Sequence, residues 1–188
     1  MSSLANETVV RHFTADEYHR MADNGVFEAD ERVELVEGVI YRMSPEGKRH
    51  VAAIELASDL FRELLKGKHR IRSQHPLALS VEAEPEPDVA IVENPDARAY
   101  LDTHPRTALL VVEVAESSLQ HDLTVKAGQY AKAGIPEYWV VNLVDDVVEV
   151  FRAPTPRGYQ ERRTMQPGDI IQPVALPDLS IEVSELIP

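Results

Sequence analysis

Between Leu109 and Tyr130 the chain reads LLVVEVAESSLQHDLTVKAGQY, and this stretch constrains the fold more than any other. A nearly unbroken apolar run carries one acid, Glu113, before the pattern changes to a helical period that carries Lys126. A strand made almost wholly of Ala, Leu and Val is covered on both faces, as in sheets flanked by helices. A carboxylate inside such a strand is costly unless a cation accompanies it. The stretch therefore asks for an α/β sheet and for a cationic partner to Glu113. A metal ion is the partner that explains it best.

The flanking segments supply the other elements of such a sheet. Thr14 and Glu17 have capping-box spacing, which predicts a short helix ending at Gly25. ERVELVEGVIYRMSP alternates apolar and polar residues about Glu37-Gly38, which predicts a tight hairpin that places Glu34 on its first strand. Val51, Ile54, Ala57, Phe61 and Leu64 recur at helical spacing between Gly47 and Gly67. His50 falls on the same stripe, where it is either a satisfied core residue or a member of the site. Two strands follow, one ending near Val81 and one over Asp88 to Val92, then a loop over Asn94 to Arg106 with at most one helical turn.

Beyond the central strand Ala108 to Ala115, a helix runs from about Asp122 to Ala133, closed by Gly134 and Pro136. On it Lys126 lies within about 60° of Leu123 and about 40° of Tyr130, so it points inward with them. Strands are predicted over Glu137 to Asn142, Val147 to Arg152 and, at an edge, Tyr159 to Met165, with LSIEVSELI in the tail covering the sheet. The order gives an α/β protein with a mixed central β-sheet flanked by helices. The 188 residues suit one domain, residues 1–188, with a core of about 14–152 and C-terminal strands and tail over 153–188.

Chemistry concentrates in Glu34, Asp88, Glu113 and Lys126. Asp88 opens a strand after Pro87, and neighbouring strands would bring it within a few ångströms of Glu113. Carboxylates that close repel and raise one another's pKa unless a cation intervenes. Oxygen ligands of this hardness favour Mg²⁺ or Mn²⁺, and a nearby lysine can offset charge developing on a phosphoryl group. Taken singly, each residue also has a structural reading as a turn, an edge-strand acid or a snorkelling lysine.

Pro87-Asp88, Glu113 in VVEVAESS, Asp122-Leu123 with Lys126, and YAKAGIPEYW over Tyr130 to Trp139 together resemble the Uma2 family (DUF820) of the PD-(D/E)XK nuclease superfamily. VELVEG over Val33 to Gly38, Met43-Ser44-Pro45 and His50 fit the same pattern. The resemblance implies a restriction-endonuclease-like core, with Asp88 and Glu113, assisted by Glu34, holding Mg²⁺ or Mn²⁺. It implies that Lys126 positions the attacking water, and that His50 is auxiliary. In the superfamily's plain motif the lysine follows the acid by two residues, a place held here by Ala115; the Uma2 pattern carries it on the next helix. Glu37, where the family often has Asp, is assigned to the turn.

A net charge of -13 argues against a nucleic-acid partner, although divalent cations can neutralise acids gathered at a site. Lys66, Lys68, His69, Arg70 and Arg72 form one basic strip and Arg152, Arg157, Arg162 and Arg163 another; both are read as solvated loop and edge-strand charge. There is no cysteine, which removes thiolate catalysis and cysteine-ligated zinc. The first residues lack a secretion signal and no apolar run spans a membrane, so the chain reads as soluble and cytoplasmic. The leading function is a nuclease acting on nucleic acid, DNA favoured, as a homodimer. The alternatives are a catalytically silent binding or assembly module and a metal-dependent hydrolase of small phosphoesters.

Overall fold

The computed structural model describes residues 10–188. The reading of the first nine residues as free of a secretion signal lies outside the described residues.

Thr14 caps helix α1 (Ala15–Asp23) through the expected box with Glu17. Strands β1 (Val33–Val36) and β2 (Val39–Arg42) form the hairpin, its two-residue turn holding Glu37 at φ 49° and Gly38 at φ 75°. Both values belong to the type I′ turn that matches strand twist. Glycine is required at Gly38 for a second reason: a Cβ there would stand 2.3 Å from the Cβ of His12.

A mixed six-stranded sheet occupies the centre, in the order β3 (Arg70–Ser73), β4 (Val89–Val92), β5 (Leu110–Ala115), β6 (Glu137–Asn142), β7 (Val147–Thr155), β8 (Gly158–Met165). Only β5 and β6 run parallel, which requires the crossover helix between them. Alternation along the strands divides the core in two. Val89, Ile91, Leu110, Val112, Val114, Trp139 and Val141 face helix α2 (Lys48–Leu65), which contributes Ala53, Ile54, Ala57, Phe61 and Leu65. Ala90, Val111, Ala115, Tyr138 and Val140 face the crossover helix α3 (residues 119–132), which contributes Ala127 and Tyr130. Glu113, lying between Val111 and Ala115, is thereby turned towards α3.

Helix α3 departs from expectation. It begins with an α turn at Leu119–His121, widens into a π-helix over Asp122–Lys126 and returns to α geometry at Ala127–Lys132. A second correction concerns the strand expected to end near Val81. The ladder strand is β3, and residues 77–81 form no strand but an irregular segment, in which Leu77 donates to Pro85 and Leu79 to Ala83. Pro76 interrupts the run, so the strand occupies only its start, Arg70–Ser73, on the sheet edge. Arg70 and Arg72 lie on that edge, Arg162 and Arg163 on β8 at the other.

The tail closes the α2 face. Strands β9 (Ile170–Ile171) and β10 (Ile181–Glu182) pair, and Ile171, Ile181, Val183 and Leu186 enter the core. Glu137, fully buried, anchors this segment: it accepts hydrogen bonds from Trp139 Nε1 at 2.7 Å, from Arg152 Nη2 at 2.9 Å and from the Val174 amide at 2.6 Å. Among the described residues, no helix is long and apolar enough to cross a membrane.

The α2 packing predicts a contrast between two residues of one helix. Phe61 is fully buried against Trp139, their ring centroids 6.1 Å apart, whereas Leu56 is 42% exposed. Phe61→Ala is expected to cost about 3–5 kcal/mol in urea unfolding and Leu56→Ala less than about 0.5 kcal/mol.

Candidate active site

The site begins at the β4–β5 ladder. Val89 pairs with Val112 in the antiparallel register, so one step further Asp88 stands opposite Glu113 on the α3 side. The two acids are linked through the backbone: the Asp88 amide donates to Glu113 Oε2 at 3.2 Å, and the Val114 amide donates to Asp88 Oδ2 at 2.8 Å.

Lys126, the last residue of the π-helical segment, reaches in from α3. Its Nζ lies 2.9 Å from Glu113 Oε1 and 3.0 Å from Glu34 Oε1, and the residue is buried. Tyr130, one turn on, donates its hydroxyl to Glu113 Oε1 at 2.8 Å. Glu34 arrives on β1, whose hairpin is held to the segment before β4 by paired Leu35–Glu84 backbone bonds. The other Glu34 oxygen accepts from the Glu86 amide at 3.1 Å. His50, in the first turn of α2, places Nε2 3.5 Å from Asp88 Oδ1. Glu34, His50, Asp88, Glu113 and Lys126 line an open cavity of about 280 Å³.

All five residues singled out from the sequence, Glu34, His50, Asp88, Glu113 and Lys126, are thus brought together. Glu37 is not among them; it sits in the hairpin turn, paired with Lys132. Asp122 and His121 were missed. Asp122 is buried, lines the same cavity and accepts from Ser118 Oγ at 2.6 Å. An acid in the first turn of a helix reads by default as a solvated terminal charge, and the only signal for more was its spacing from Lys126. The His121 ring packs on Tyr41 at 4.6 Å between centroids.

Four carboxylates, Glu34, Asp88, Glu113 and Asp122, therefore share one ammonium. Burial alone would lower the Lys126 pKa, but the surrounding acids, Glu113 foremost, outweigh it and hold the side chain protonated well above its ordinary range. Burial pushes Glu113 well above the usual carboxylate range; Lys126 opposes this, while Asp88, Asp122 and Glu34 reinforce it. Asp122 is raised to about 6, chiefly by burial against the opposing pull of Lys126 and Ser118. Burial also works to lower the His50 pKa, yet its bond to Asp88 and the nearby acids leave it raised. His121 is lowered by burial and by Lys126.

Surplus negative charge of this kind is relieved by a cation. Among the described residues, no three His, Cys, Asp or Glu side chains converge as a ligand set of their own. Asp88 and Glu113 do present adjacent carboxylates at an open cavity. Mg²⁺ is bound by one or two carboxylates plus waters and substrate oxygens, so the donor set fits a hard divalent cation.

No curated protein matches the chain. A solved structure described as a "putative nuclease belonging to DUF820" from Anabaena variabilis ATCC 29413 is similar to it with a TM-score of 0.74. The two share 16% identity, over 93% of this chain and 97% of that one, a likeness of fold. Residues 15–184 match the model of the family Uma2, described as "Putative restriction endonuclease". With nearly its whole length covered, the chain belongs to the Uma2 family.

Proposed function

We propose that this protein is a divalent-metal-dependent nuclease that hydrolyses phosphodiester bonds, with DNA as the favoured substrate. The observation that carries the reading is the Lys126 ammonium 2.9 Å from Glu113, beside Asp88 in an open cavity. Family membership and the nuclease fold support it.

Asp88 and Glu113 would hold Mg²⁺ or Mn²⁺, with Glu34 as auxiliary acid. Bound there, the ion supplies Lewis acidity towards a phosphoryl oxygen. Lys126 stays an ammonium at neutral pH, so its part is donation: it orients a water or a phosphoryl oxygen and offsets charge growing on phosphorus, and it takes no proton. Glu34 and Glu113 share that ammonium and fix its position. Tyr130, whose burial keeps its hydroxyl a phenol, restricts the Glu113 carboxylate to one orientation. His50 orients Asp88 through its Nε2. Arg42, exposed where β2 borders the cavity, offers a cation to a substrate phosphate in a chain of net charge -13.

Purified protein with Mn²⁺ should cleave DNA, and Asp88→Asn and Glu113→Gln should each lower the rate by at least about 100-fold. Unchanged cleavage in both variants would sink the assignment. An aryl phosphodiester assayed beside DNA checks substrate class: turnover of the small ester alone overturns the nuclease reading. Cleavage of a duplex by paired sites calls for two copies, and light scattering should give twice the monomer mass.

The Asp122 shift gives a pH prediction. Its carboxyl titrates from 3.8 in the unfolded chain to about 6 in the fold, so the native state binds the proton more tightly. Stability is fully present below the lower value and falls as pH rises towards the upper one. In metal-free buffer the wild type should lose about 2 kcal/mol relative to Asp122→Asn between pH 4 and 7, read by urea unfolding. Mn²⁺ at pH 7 should restore part of that loss by binding the native state.

A further inference from the structure

From Leu64 to Val81 the sequence holds no acid, although Asp and Glu outnumber Lys and Arg by 32 to 19 in the whole chain. Lys66, Lys68, His69 and Arg70 fall in this run, at the turn from α2 into β3 and on the free edge of the sheet. Lys66 and Lys68 are exposed, and neither they nor Arg70 come within 4.0 Å of a carboxylate among the described residues. The other side of the sheet differs: on β7 and β8, Arg152 pairs with Glu137, Arg162 with Glu149 and Arg163 with Glu161. Charge on an edge strand discourages pairing with another sheet, and the balanced charges of β8 serve that purpose equally well. The start of β3 carries cations without counter-charge. Arg72, further along, is folded over the Tyr100 ring at 5.5 Å and donates to the Pro76 carbonyl at 3.3 Å, so it braces the edge from within.

Arg70 borders a cavity of about 180 Å³ lined also by Arg62, Leu65, Gly67, His69 and Ile71. Asp59 engages Arg62 at 3.0 Å and the Glu93 carbonyl faces His69 Nδ1 at 3.2 Å, which leaves Arg70 and the two lysines to meet a ligand. We propose that this edge docks the phosphate backbone of duplex DNA to one side of the cleaved bond. The proposal rests on the nuclease reading. Arg70 stands opposite Val92, which shares the α3 side with Ala90 and, by alternation, with Asp88. Strand β3 ends against the site itself: the Gln74 amide donates to the carbonyls of Pro87 and Asp88, each at 3.1 Å, and the Gln74 side chain donates to Glu46 at the catalytic cavity. Four residues separate Arg70 from Gln74, about 13 Å along a strand. Each strand of duplex DNA carries a phosphate every ~3.4 Å of axis, so the cations meet phosphates about four base pairs from the reaction. The edge thereby supplies an attraction that a net charge of -13 denies the chain as a whole.

Fluorescence anisotropy of a labelled duplex, with Ca²⁺ present to mask the acids of the catalytic cavity, reads the contact directly. The wild type should bind in about 50 mM salt, and the combined variant Lys66→Asn, Lys68→Gln, Arg70→Gln at least about 10-fold more weakly. Loss of three phosphate contacts should lower the slope of log affinity against log salt by about 2–3. Asparagine is chosen at Lys66 because φ there is 47°, a value asparagine tolerates, so the variant should unfold at the wild-type urea midpoint. A charge-matched control, Arg20→Gln, Arg157→Gln, Arg163→Gln, should keep the wild-type affinity within about 2-fold. No duplex binding by the wild type, an unchanged slope in the β3 variant, or an equal loss in the control overturns the docking surface. Phosphatidylserine vesicles that sediment the wild type while duplex DNA leaves it free assign the edge to an anionic membrane and overturn DNA as its partner. If the wild type cleaves DNA and the β3 variant does so with unchanged KM, the docking surface falls and the nuclease reading stands. If the duplex binds through β3 but Mn²⁺ brings no cleavage, the nuclease reading falls and the docking surface stands.

Discussion

One buried ammonium holds the functional half of this protein together. Lys126 sits between Glu113 on the central strand and Glu34 on the hairpin, about 3 Å from each. At such separations, out of water, the attraction exceeds that of any surface pair, and losing one partner strands the other charge. Three elements must agree for the contact to exist. The sheet must turn Glu113 towards α3, the hairpin must dock on the segment before β4, and α3, which widens into a π turn over Asp122–Lys126, must carry Lys126 inward. Such bulges inside helices recur at functional sites, where they re-aim a side chain at some cost in regular hydrogen bonding.

Two buried acids of the same sheet have opposite electrostatic surroundings. Glu137 and Glu113 are both buried on neighbouring strands of one sheet. Glu137 is surrounded by donors from Trp139, Arg152 and Val174, faces the α2 core and ties down the tail. Glu113 also accepts from Lys126, Tyr130 and the Asp88 amide, but its remaining neighbours are acids and it borders open space. The first arrangement is electrostatically closed. The second leaves surplus negative charge, which is what a divalent cation and a phosphate ester can exploit together.

Much of this was legible in the residues. The acid in the long apolar run was Glu113, Pro87-Asp88 marked the strand beside it, and the inward phase of Lys126 followed from counting round a helix. Arg70 and Arg72 were read as edge or loop charge, and they lie on an edge strand. The extent of that strand was misjudged, since RIRS has one apolar residue and its ladder is specified by β4 alone. Asp122 escaped for a different reason. A terminal acid has a cheap local explanation, and that explanation masks its place one turn before Lys126, where it is buried.

The parallel pairing of β5 with β6 means that α3 is a crossover, and the site straddles it. Glu113 precedes the crossover and Lys126 lies within it, while Asp88 and Glu34 come from earlier antiparallel elements. No isolated hairpin or helix carries the charge cluster, so a chain emerging from the ribosome or partly unfolded holds the acids and the lysine apart. The charge cluster is therefore assembled only on completion of the fold, and fraying of α3 would part Lys126 from both acids. For the nuclease proposed above, strand order would thus delay chemistry until the sheet is closed.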